Sequence, residues 1–309
     1  MEKKRIYYGL SLVVLSFLSH QAHAQQDPQY THYMYNHSNI NPAYAGSTEG
    51  LQLFGLYRTQ WVGLDGASKT ATLSATTPLG TSGLGLGVNF TNDRIGVMNE
   101  NTLSIDLSYA ISLNYNYKLA FGLKGSGSLL DVTYSDLNIY DGTDPVAGTD
   151  ITNSFTPNLG AGLFLYSDKS YVGVSAPNLF TQSRYDDNQL NTLNQKLHLY
   201  VTGGYVFDLN SNLKFKPAAM IKMKEGSPLQ VDVSANFMFM EKFTLGAAYR
   251  WDAAVSGLVG FQVSKNLMLG YSYDADTTRL AHYNSGSHEV FLRFNLFNNH
   301  KRIAAPRFF

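Results

Sequence analysis

Two short stretches of the sequence carry residue types that can bind an ionic ligand. The glycine-rich run 83–87 invites comparison with phosphate-binding loops, and the acidic run 141–144, with Asp150, offers oxygen atoms of the kind that calcium prefers. The glycine run, however, lies within an alternating strand pattern and no helix pattern follows it, so close-packed strand glycines are the better interpretation. The acidic run lacks the EF-hand spacing and its closing Glu, which favours a solvated surface loop over a calcium site.

Catalysis by a nucleophile or a metal ion would need a recognisable set of Cys, His, Ser and acidic residues. The chain contains no Cys, which excludes thiol nucleophiles, disulfides and Cys-ligated zinc. The histidines form neither an HExxH nor an HxH motif, while Ser and Asp are scattered through the loops. Those beyond the first 24 residues are His32, His37, His198, His282, His288 and His300. We therefore predict that the protein is not an enzyme and uses no cofactor or metal ion.

A polar and aromatic run from Arg58 to Trp61 closes the first predicted strand and allows two interpretations. Trp61 could lie at the membrane interface beside an arginine of the rim, as aromatic belts generally show. Alternatively, Arg58 faces the lumen and pairs with a carboxylate such as Asp65 or Asp93, because an arginine that faces lipid at depth is costly. The sequence leaves both interpretations open.

The composition is unlike that of a typical soluble domain or a nucleic-acid-binding protein. Lys plus Arg and Asp plus Glu number 23 each in 309 residues, so no net charge attracts nucleic acid. Charged residues make up 15% of the chain, well below the usual quarter, although the hydrophobic fraction of 44% is ordinary. The 21 Tyr and 18 Phe residues suit the aromatic girdles of a transmembrane β-barrel.

Along the stretch 242–297, apolar residues alternate with small or polar residues. Leu269 and Tyr271, for example, alternate with Gly270 and Ser272. Successive strand residues point to opposite faces, so each run has one apolar face and one small or polar face. The polar faces carry Arg250, Gln262, Glu289 and Arg293. In a transmembrane barrel the apolar face meets lipid and the polar face lines the lumen.

The same pattern predicts fourteen strands, an even number as in bacterial outer-membrane barrels. They span 51–58, 69–77, 83–91, 102–112, 117–129, 155–166, 170–176, 196–208, 213–221, 229–239, 243–250, 255–263, 267–273 and 288–297. Connections after even-numbered strands are short, whereas most of those after odd-numbered strands are long, including 92–101 and 130–154. Strands nine and eleven are the exceptions. Short turns at one end and long loops at the other are typical of a membrane barrel, whereas the connections of a Greek-key sandwich are not sorted by length in this way. We therefore predict an all-β, transmembrane antiparallel barrel.

Residues 1–24 have the features of a secretory signal peptide. A basic start (Lys3, Lys4 and Arg5) precedes a short apolar core, and Ala22-His23-Ala24 is a small-x-small cleavage motif. The apolar core is too short to span a bilayer comfortably. We expect cleavage near Ala24 and a location in the bacterial outer membrane.

The remaining chain divides into three parts. Residues 25–50 do not alternate and are predicted to plug the lumen or to lie at the periplasmic mouth. Residues 51–297 form the barrel, and the basic, aromatic-ended residues 298–309 form a periplasmic tail. The candidate plug or partner-binding residues are Asn41, Pro42, Tyr44, Arg58, Gln60, Trp61, Arg307 and Phe309.

Several motifs occur in a characteristic order. They are Asp27-Pro28-Gln29-Tyr30, Asn41-Pro42-Ala43-Tyr44-Ala45-Gly46, Tyr57-Arg58-Thr59-Gln60-Trp61, the glycine-rich strand with Asn92-Asp93-Arg94-Ile95-Gly96, Ser287-His288-Glu289 and Pro306-Arg307-Phe308-Phe309. Their order and spacing resemble the PorP/SprF family over the whole mature chain. The resemblance implies an outer-membrane protein of the type IX secretion and gliding machinery. It also implies roles in the export or surface attachment of proteins that carry a C-terminal sorting domain, and it brings no catalytic residues.

The sequence is compatible with three functions. The first is a secretion component whose partners are secreted cargo, a periplasmic peptidoglycan-binding lipoprotein, the type IX machinery and outer-membrane lipids, but not nucleic acid. The alternative is an outer-membrane channel for small hydrophobic molecules with an N-terminal hatch. The third is a surface enzyme. The resemblance favours the first.

Overall fold

Fourteen antiparallel strands form one closed barrel in the part of the chain that the structure describes. The computed structural model describes residues 29–136, 150–180, 182–183, 194–195 and 197–297. The strands are β1 (Gly50–Thr59), β2 (Lys69–Pro78), β3 (Leu84–Ile95), β4 (Met98–Ser112), β5 (Lys118–Val132), β6 (Ile151–Tyr166), β7 (Ser170–Ala176), β8 (His198–Tyr205, continued by Phe207–Asn210), β9 (Leu213–Lys224), β10 (Gln230–Phe239), β11 (Phe243–Arg250), β12 (Ala254–Gln262), β13 (Leu267–Asp276) and β14 (Ser287–Phe297). Each strand pairs with its neighbours in sequence, and β1 pairs with β14. The predicted fourteen-strand barrel is thereby confirmed.

The alternation in the sequence separates the two faces of the wall. On β4, Leu103 and Leu107 are 53% and 55% exposed on the outside, whereas Ser104 and Asp106 are 5% and 0% exposed on the inside. An apolar outer face and a polar inner face are the reverse of a soluble fold, and they fit a wall that is surrounded by lipid. The predicted orientation of the two faces is therefore confirmed.

The two ends of the barrel differ, as the sequence predicted, with one exception. We call the end with the connections after β2, β4, β6, β8, β10 and β12 the short-turn end, and the opposite end the long-loop end. The predicted long loop 92–101 is wrong: β3 and β4 continue to Ile95 and Met98, and a tight hairpin joins them. Asn92 explains the extension, since its side-chain amide donates to Asn99 and Asn101 across the two strands. Polar side-chain pairs of this kind continue the β-sheet pairing beyond the apolar band from which the strands were predicted.

Residues 29–47, which we call the lumen segment, lie inside the barrel. They contain one short helix, α1 (His37–Ile40), and a 3₁₀ turn (Pro42–Tyr44). Tyr33, Met34 and Tyr35 pack against the inner wall, and all three are buried. No helix in the described ranges has the length and apolar character needed to span a bilayer. The lumen segment therefore fills space that fourteen strands would otherwise leave open.

Candidate functional site

A buried ion cluster joins the lumen segment to three strands near their long-loop ends. Arg58 of β1 donates to Asp274 of β13 at 2.7 Å and to Glu289 of β14 at 3.2 Å. Nδ1 of His32 lies 2.6 Å from Oε1 of Glu289, which also accepts the His32 backbone N–H at 2.8 Å. Thr31 donates its backbone N–H to Glu289 and its hydroxyl to Asp274. These five residues, the seam cluster, are at most 2% exposed. Charges can remain in such an interior because they are paired and hydrogen-bonded.

The structure corrects the predicted partners of Arg58. Asp93 accepts a hydrogen bond from Thr70 at 2.6 Å, and Asp65 lies exposed in the loop between β1 and β2. Arg58 faces Glu289 because the two are register partners across the β1–β14 pair. The polar face of the last strand had marked Glu289 as a lumen residue, but nothing in the sequence paired it with an arginine of the first strand.

Glycines in the wall make room for the main chain of the lumen segment. A Cβ atom at Gly122 of β5 would overlap the backbone of Ala43, and one at Gly85 of β3 would overlap the backbone of Ala45. Gly85 belongs to the run 83–87, so this run contacts a protein backbone. Such close approach is possible only where the wall carries no side chain. The segment is consequently held near the short-turn end by shape as well as by hydrogen bonds.

Asn41 fixes the turn that follows α1. Its Oδ1 atom accepts the N–H of Ala43 at 3.0 Å, and its Nδ2 atom donates to the carbonyl of Leu163 on β6 at 2.9 Å. Pro42 occupies the first position of the 3₁₀ turn, where the missing N–H costs nothing. Asn41 and Pro42 are both buried. They hold the segment against the wall and are not available to a partner from outside.

Tyr44 is the third candidate from the same motif, and it is also packed inside. Its hydroxyl donates to Gln52 at 3.2 Å, and its ring meets that of Phe164 edge-on at 5.6 Å. His37 lies 5.2 Å from the Tyr44 ring and 4.6 Å from that of Tyr171. Tyr44 is therefore part of an aromatic group that anchors the lumen segment.

Gln60 and Trp61 lie at the long-loop end. The backbone N–H of Gln60 donates to Ser68 and closes the loop between β1 and β2. Trp61 adopts a left-handed backbone conformation with φ of 48°, and its N–H donates to Ser287 Oγ at 3.2 Å. These bonds hold the start of the loop against β14. The remaining two candidates, Arg307 and Phe309, fall outside the described residues.

A cavity of about 470 Å³ with both polar and apolar lining, which we call the vestibule, opens between the loops of the long-loop end. Arg58, Arg250 and Asp274 line its floor, and Trp61 and Trp251 line its walls. Arg250 is itself paired with Asp232 at 2.7 Å and buried. Among the described side chains that line the vestibule, Nε of Arg58 and Oδ2 of Asp276 are buried without a hydrogen-bond partner. The vestibule therefore offers aromatic surface together with donors and acceptors.

A second, smaller cavity of about 150 Å³ lies between the lumen segment and strands β3 to β5. Its lining is rich in hydroxyl groups and includes the carboxylates of Asp93 and Glu100. Lys124, which also lines it, donates to the carbonyl of Asn39 at 3.2 Å. A cavity of this polarity does not suit a hydrophobic molecule.

Within the described ranges, no group of three or more His, Asp or Glu side chains has a geometry that could hold a metal ion. Asp150 accepts the backbone N–H and the hydroxyl of Ser135 at 2.9 and 2.8 Å. These hydrogen bonds, the backbone one first, hold the pKa of Asp150 below its usual value. The acidic run 141–144 lies outside the described residues.

The sequence as a whole matches one family model, that of the type IX secretion system membrane protein PorP/SprF, over residues 22–294. The chain belongs to the PorP/SprF family. The match includes the lumen segment and all fourteen strands up to Phe294 of β14, so the seam cluster lies within the matched residues. Family and fold together place the protein in the outer membrane as a component of type IX secretion. A search of curated proteins finds no significant match.

Solved structures that are similar to this PorP/SprF member are outer-membrane barrels. CymD, a monoaromatic hydrocarbon channel, is 11% identical with a TM-score of 0.51, covering 84% of this chain and 92% of that chain. A Pseudomonas aeruginosa FadL homologue (12% identity, TM-score 0.46) covers 88% and 96% of the two chains. Omp33 of Acinetobacter baumannii (11% identity, TM-score 0.45) covers 80% and 98%. At this identity, the similarity to CymD concerns the fold alone.

Proposed function

We propose that this PorP/SprF member is a closed docking barrel, which binds the sorting domains of secreted proteins or adhesins and contacts periplasmic partners during export or surface attachment. The observation that carries the proposal is the lumen segment. It contacts the wall near both ends of the barrel, through the seam cluster at one end and the wall glycines at the other. A barrel filled in this way is suited to holding proteins at its mouths, and it is poorly suited to passing solutes.

The side chains at the long-loop end also support a binding role. The long-loop end carries both tryptophans of the chain, Trp61 and Trp251, together with Arg and Asp side chains around a cavity. Trp and Arg are the residue types that contribute most to protein–protein binding energy. We also propose that the protein is not an enzyme, since the buried charged groups of Arg58, Asp274 and Glu289 are paired with one another.

The alternative is a channel for small hydrophobic molecules. The two lumen-side cavities argue against it, because polar and charged groups line both. Planar-bilayer recordings of the purified barrel separate the two functions. A docking barrel should show little current, whereas a channel should conduct without any protein partner.

A binding experiment tests the docking role directly. Barrel protein in detergent is mixed with a purified C-terminal sorting domain from a protein that the same type IX system secretes, and binding is measured by light scattering or calorimetry. We expect the barrel to form a saturable complex with the sorting domain. It should form no complex with a secreted protein that lacks a sorting domain. Absence of binding to any sorting domain of the system, together with open-channel currents, would refute the proposed function.

A further inference from the structure

The vestibule at the long-loop end has the size and the lining of a small-molecule site. Its volume of about 470 Å³ lies within the range of about 300–1,000 Å³ that ligand pockets occupy. Both tryptophans of the chain, Trp61 and Trp251, line it, and Trp251 is 65% exposed. An aromatic ring beside polar groups offers a ligand a flat apolar face together with hydrogen bonds.

Backbone hydrogen bonds hold both tryptophans in place. The N–H of Trp61 donates to Ser287 Oγ at 3.2 Å, and that of Trp251 donates to the carbonyl of Val231 at 2.9 Å. Trp61 also has a left-handed backbone with φ of 48°. This conformation is costly in a residue other than glycine and persists only where the surrounding structure enforces it. The aromatic lining is therefore arranged before a ligand arrives, which lowers the entropy cost of binding.

Two buried polar atoms of the lining lack a hydrogen-bond partner among the described residues. Nη1 of Arg58 donates to Glu289 and Nη2 donates to Asp274, whereas Nε is left without an acceptor. Oδ2 of Asp276 is likewise left without a donor. Unpaired buried atoms cost free energy, and one of these atoms is a donor while the other is an acceptor. A ligand whose groups both donate and accept would pair with the two atoms.

The charges around the vestibule are close to balance. Of the described residues that line it, four are basic and three are acidic. A further carboxylate, that of Asp232, pairs with the basic side chain of Arg250 at 2.7 Å. An ionic ligand would be attracted by one set of charges and repelled by the other. The lining consequently favours an uncharged ligand that is rich in hydrogen-bonding groups.

We infer that the vestibule binds an uncharged sugar ring of a saccharide. Hydroxyl groups both donate and accept hydrogen bonds, so those of a sugar match Arg58 Nε and Asp276 Oδ2. The C–H face of the ring stacks on an indole of Trp61 or Trp251. Long loops of outer-membrane barrels face the outside, so the saccharide arrives from the cell surface. This inference goes beyond the proposed docking role and does not depend on it.

The saccharide has two possible sources, the glycan of the outer-membrane lipopolysaccharide and free oligosaccharide. The barrel is purified in lauryldimethylamine oxide, a detergent without a sugar headgroup, and its tryptophan fluorescence is titrated. Trp61 and Trp251 are the only tryptophans of the chain, so the signal reports on the vestibule. One arm uses polysaccharide released from the lipopolysaccharide of the same cells. The other uses cello-, xylo-, manno- and maltopentaose, and the arm that responds identifies the source.

Variants place the bound saccharide in the vestibule. Trp251→Ala should weaken binding about tenfold, because a stacked aromatic ring is lost, and Trp251→Phe should retain part of the affinity. Asp276→Ala should also weaken binding, since it removes the unpaired acceptor. The control is Tyr115→Ala, a fully exposed aromatic residue in the short turn after β4, which should leave affinity unchanged. Calorimetry measures affinity, and heat-modifiable gel mobility verifies that each variant is folded.

A saturable fluorescence change that weakens in the folded Trp251→Ala and Asp276→Ala variants supports the inference. Absence of binding in both saccharide arms would overturn it. So would affinity in either variant equal to that of the natural protein, because the saccharide would then bind elsewhere. If a purified sorting domain changes the fluorescence while no saccharide does, the vestibule is a protein-binding surface. In that case the inference is wrong although the proposed function stands.

Discussion

Arg58 and Glu289 face each other across the junction of the first and last strands, with Nη1 and Oε2 3.2 Å apart, although the two residues are 231 positions apart in sequence. The same carboxylate also binds Thr31 and His32 of the lumen segment. The junction that closes the barrel is therefore also the place where the lumen segment is held.

Glu289→Gln should weaken the closed barrel. The change removes the buried carboxylate that pairs with Arg58, and loss of one partner of a buried ion pair costs on the order of 3–5 kcal/mol. The measurement is the urea concentration at which half of the barrel in liposomes is unfolded, and gel mobility monitors the folded fraction. The control is Glu241→Gln, whose ion pair with Lys214 is partly exposed and should be worth about 1 kcal/mol or less. Equal midpoints for the two variants would contradict the role of the seam cluster.

Gly122→Ala should displace the lumen segment and raise the conductance of the barrel. The added Cβ overlaps the backbone of Ala43, and overpacking of this kind costs about 1–3 kcal/mol. Gly125→Ala is the matched control, because it lies on the same strand and its Cβ would meet nothing within 4 Å. Single-channel currents in planar bilayers provide the measurement. If the Gly122→Ala currents match those of Gly125→Ala, the glycine contact does not hold the segment.

Asn41→Ala should loosen the 3₁₀ turn while leaving the barrel closed. Two hydrogen bonds are lost, to Ala43 and to Leu163, at a cost of about 1–2 kcal/mol. Amide hydrogen exchange, read by mass spectrometry, should show roughly tenfold faster exchange around residue 43. Asn114→Ala removes a similar cap from an exposed short turn. Asn114→Ala should leave the rate of amide exchange in the lumen segment unchanged from that of the natural protein. If Asn41→Ala leaves that rate unchanged or lowers it, the Asn41 side chain does not stabilise the turn.

The contact between Asp150 and Ser135 should depend on pH. Hydrogen bonds from Ser135 lower the pKa of the Asp150 carboxyl in the folded loop, so the contact stabilises the loop at neutral pH and is lost as the pH falls through that lowered pKa. Ser135→Ala removes the hydroxyl donor but keeps the backbone N–H, and it should raise the pKa part of the way towards its usual value. NMR titration of ¹³C-labelled Asp carboxyls measures the shift. An identical titration in both proteins would show that the hydroxyl contributes nothing.

The alternation of residues by itself determined the wall of this protein. A period of two depends only on neighbouring residues, so Leu103 and Ser104 reveal their opposite faces without any knowledge of the rest of the chain. The same local pattern gave the number of strands and the unlike ends. The prediction of a loop at 92–101 was wrong, because the two strands stay paired there through polar residues such as Asn92 and Asn101. These residues do not show the apolar alternation from which strands were predicted.

The candidate site was only partly visible in the sequence. Asn41, Pro42 and Tyr44 stood out as a motif, but their contacts with β5, β6 and the aromatic group depend on wall residues more than 70 positions away. The partner of Arg58 was missed for the same reason. Which carboxylate lies opposite an arginine is decided by the register of β1 against β14, and that register exists only once the ring is closed. Local sequence thus determines how each strand is oriented, whereas closure of the ring around the lumen segment decides which distant side chains meet.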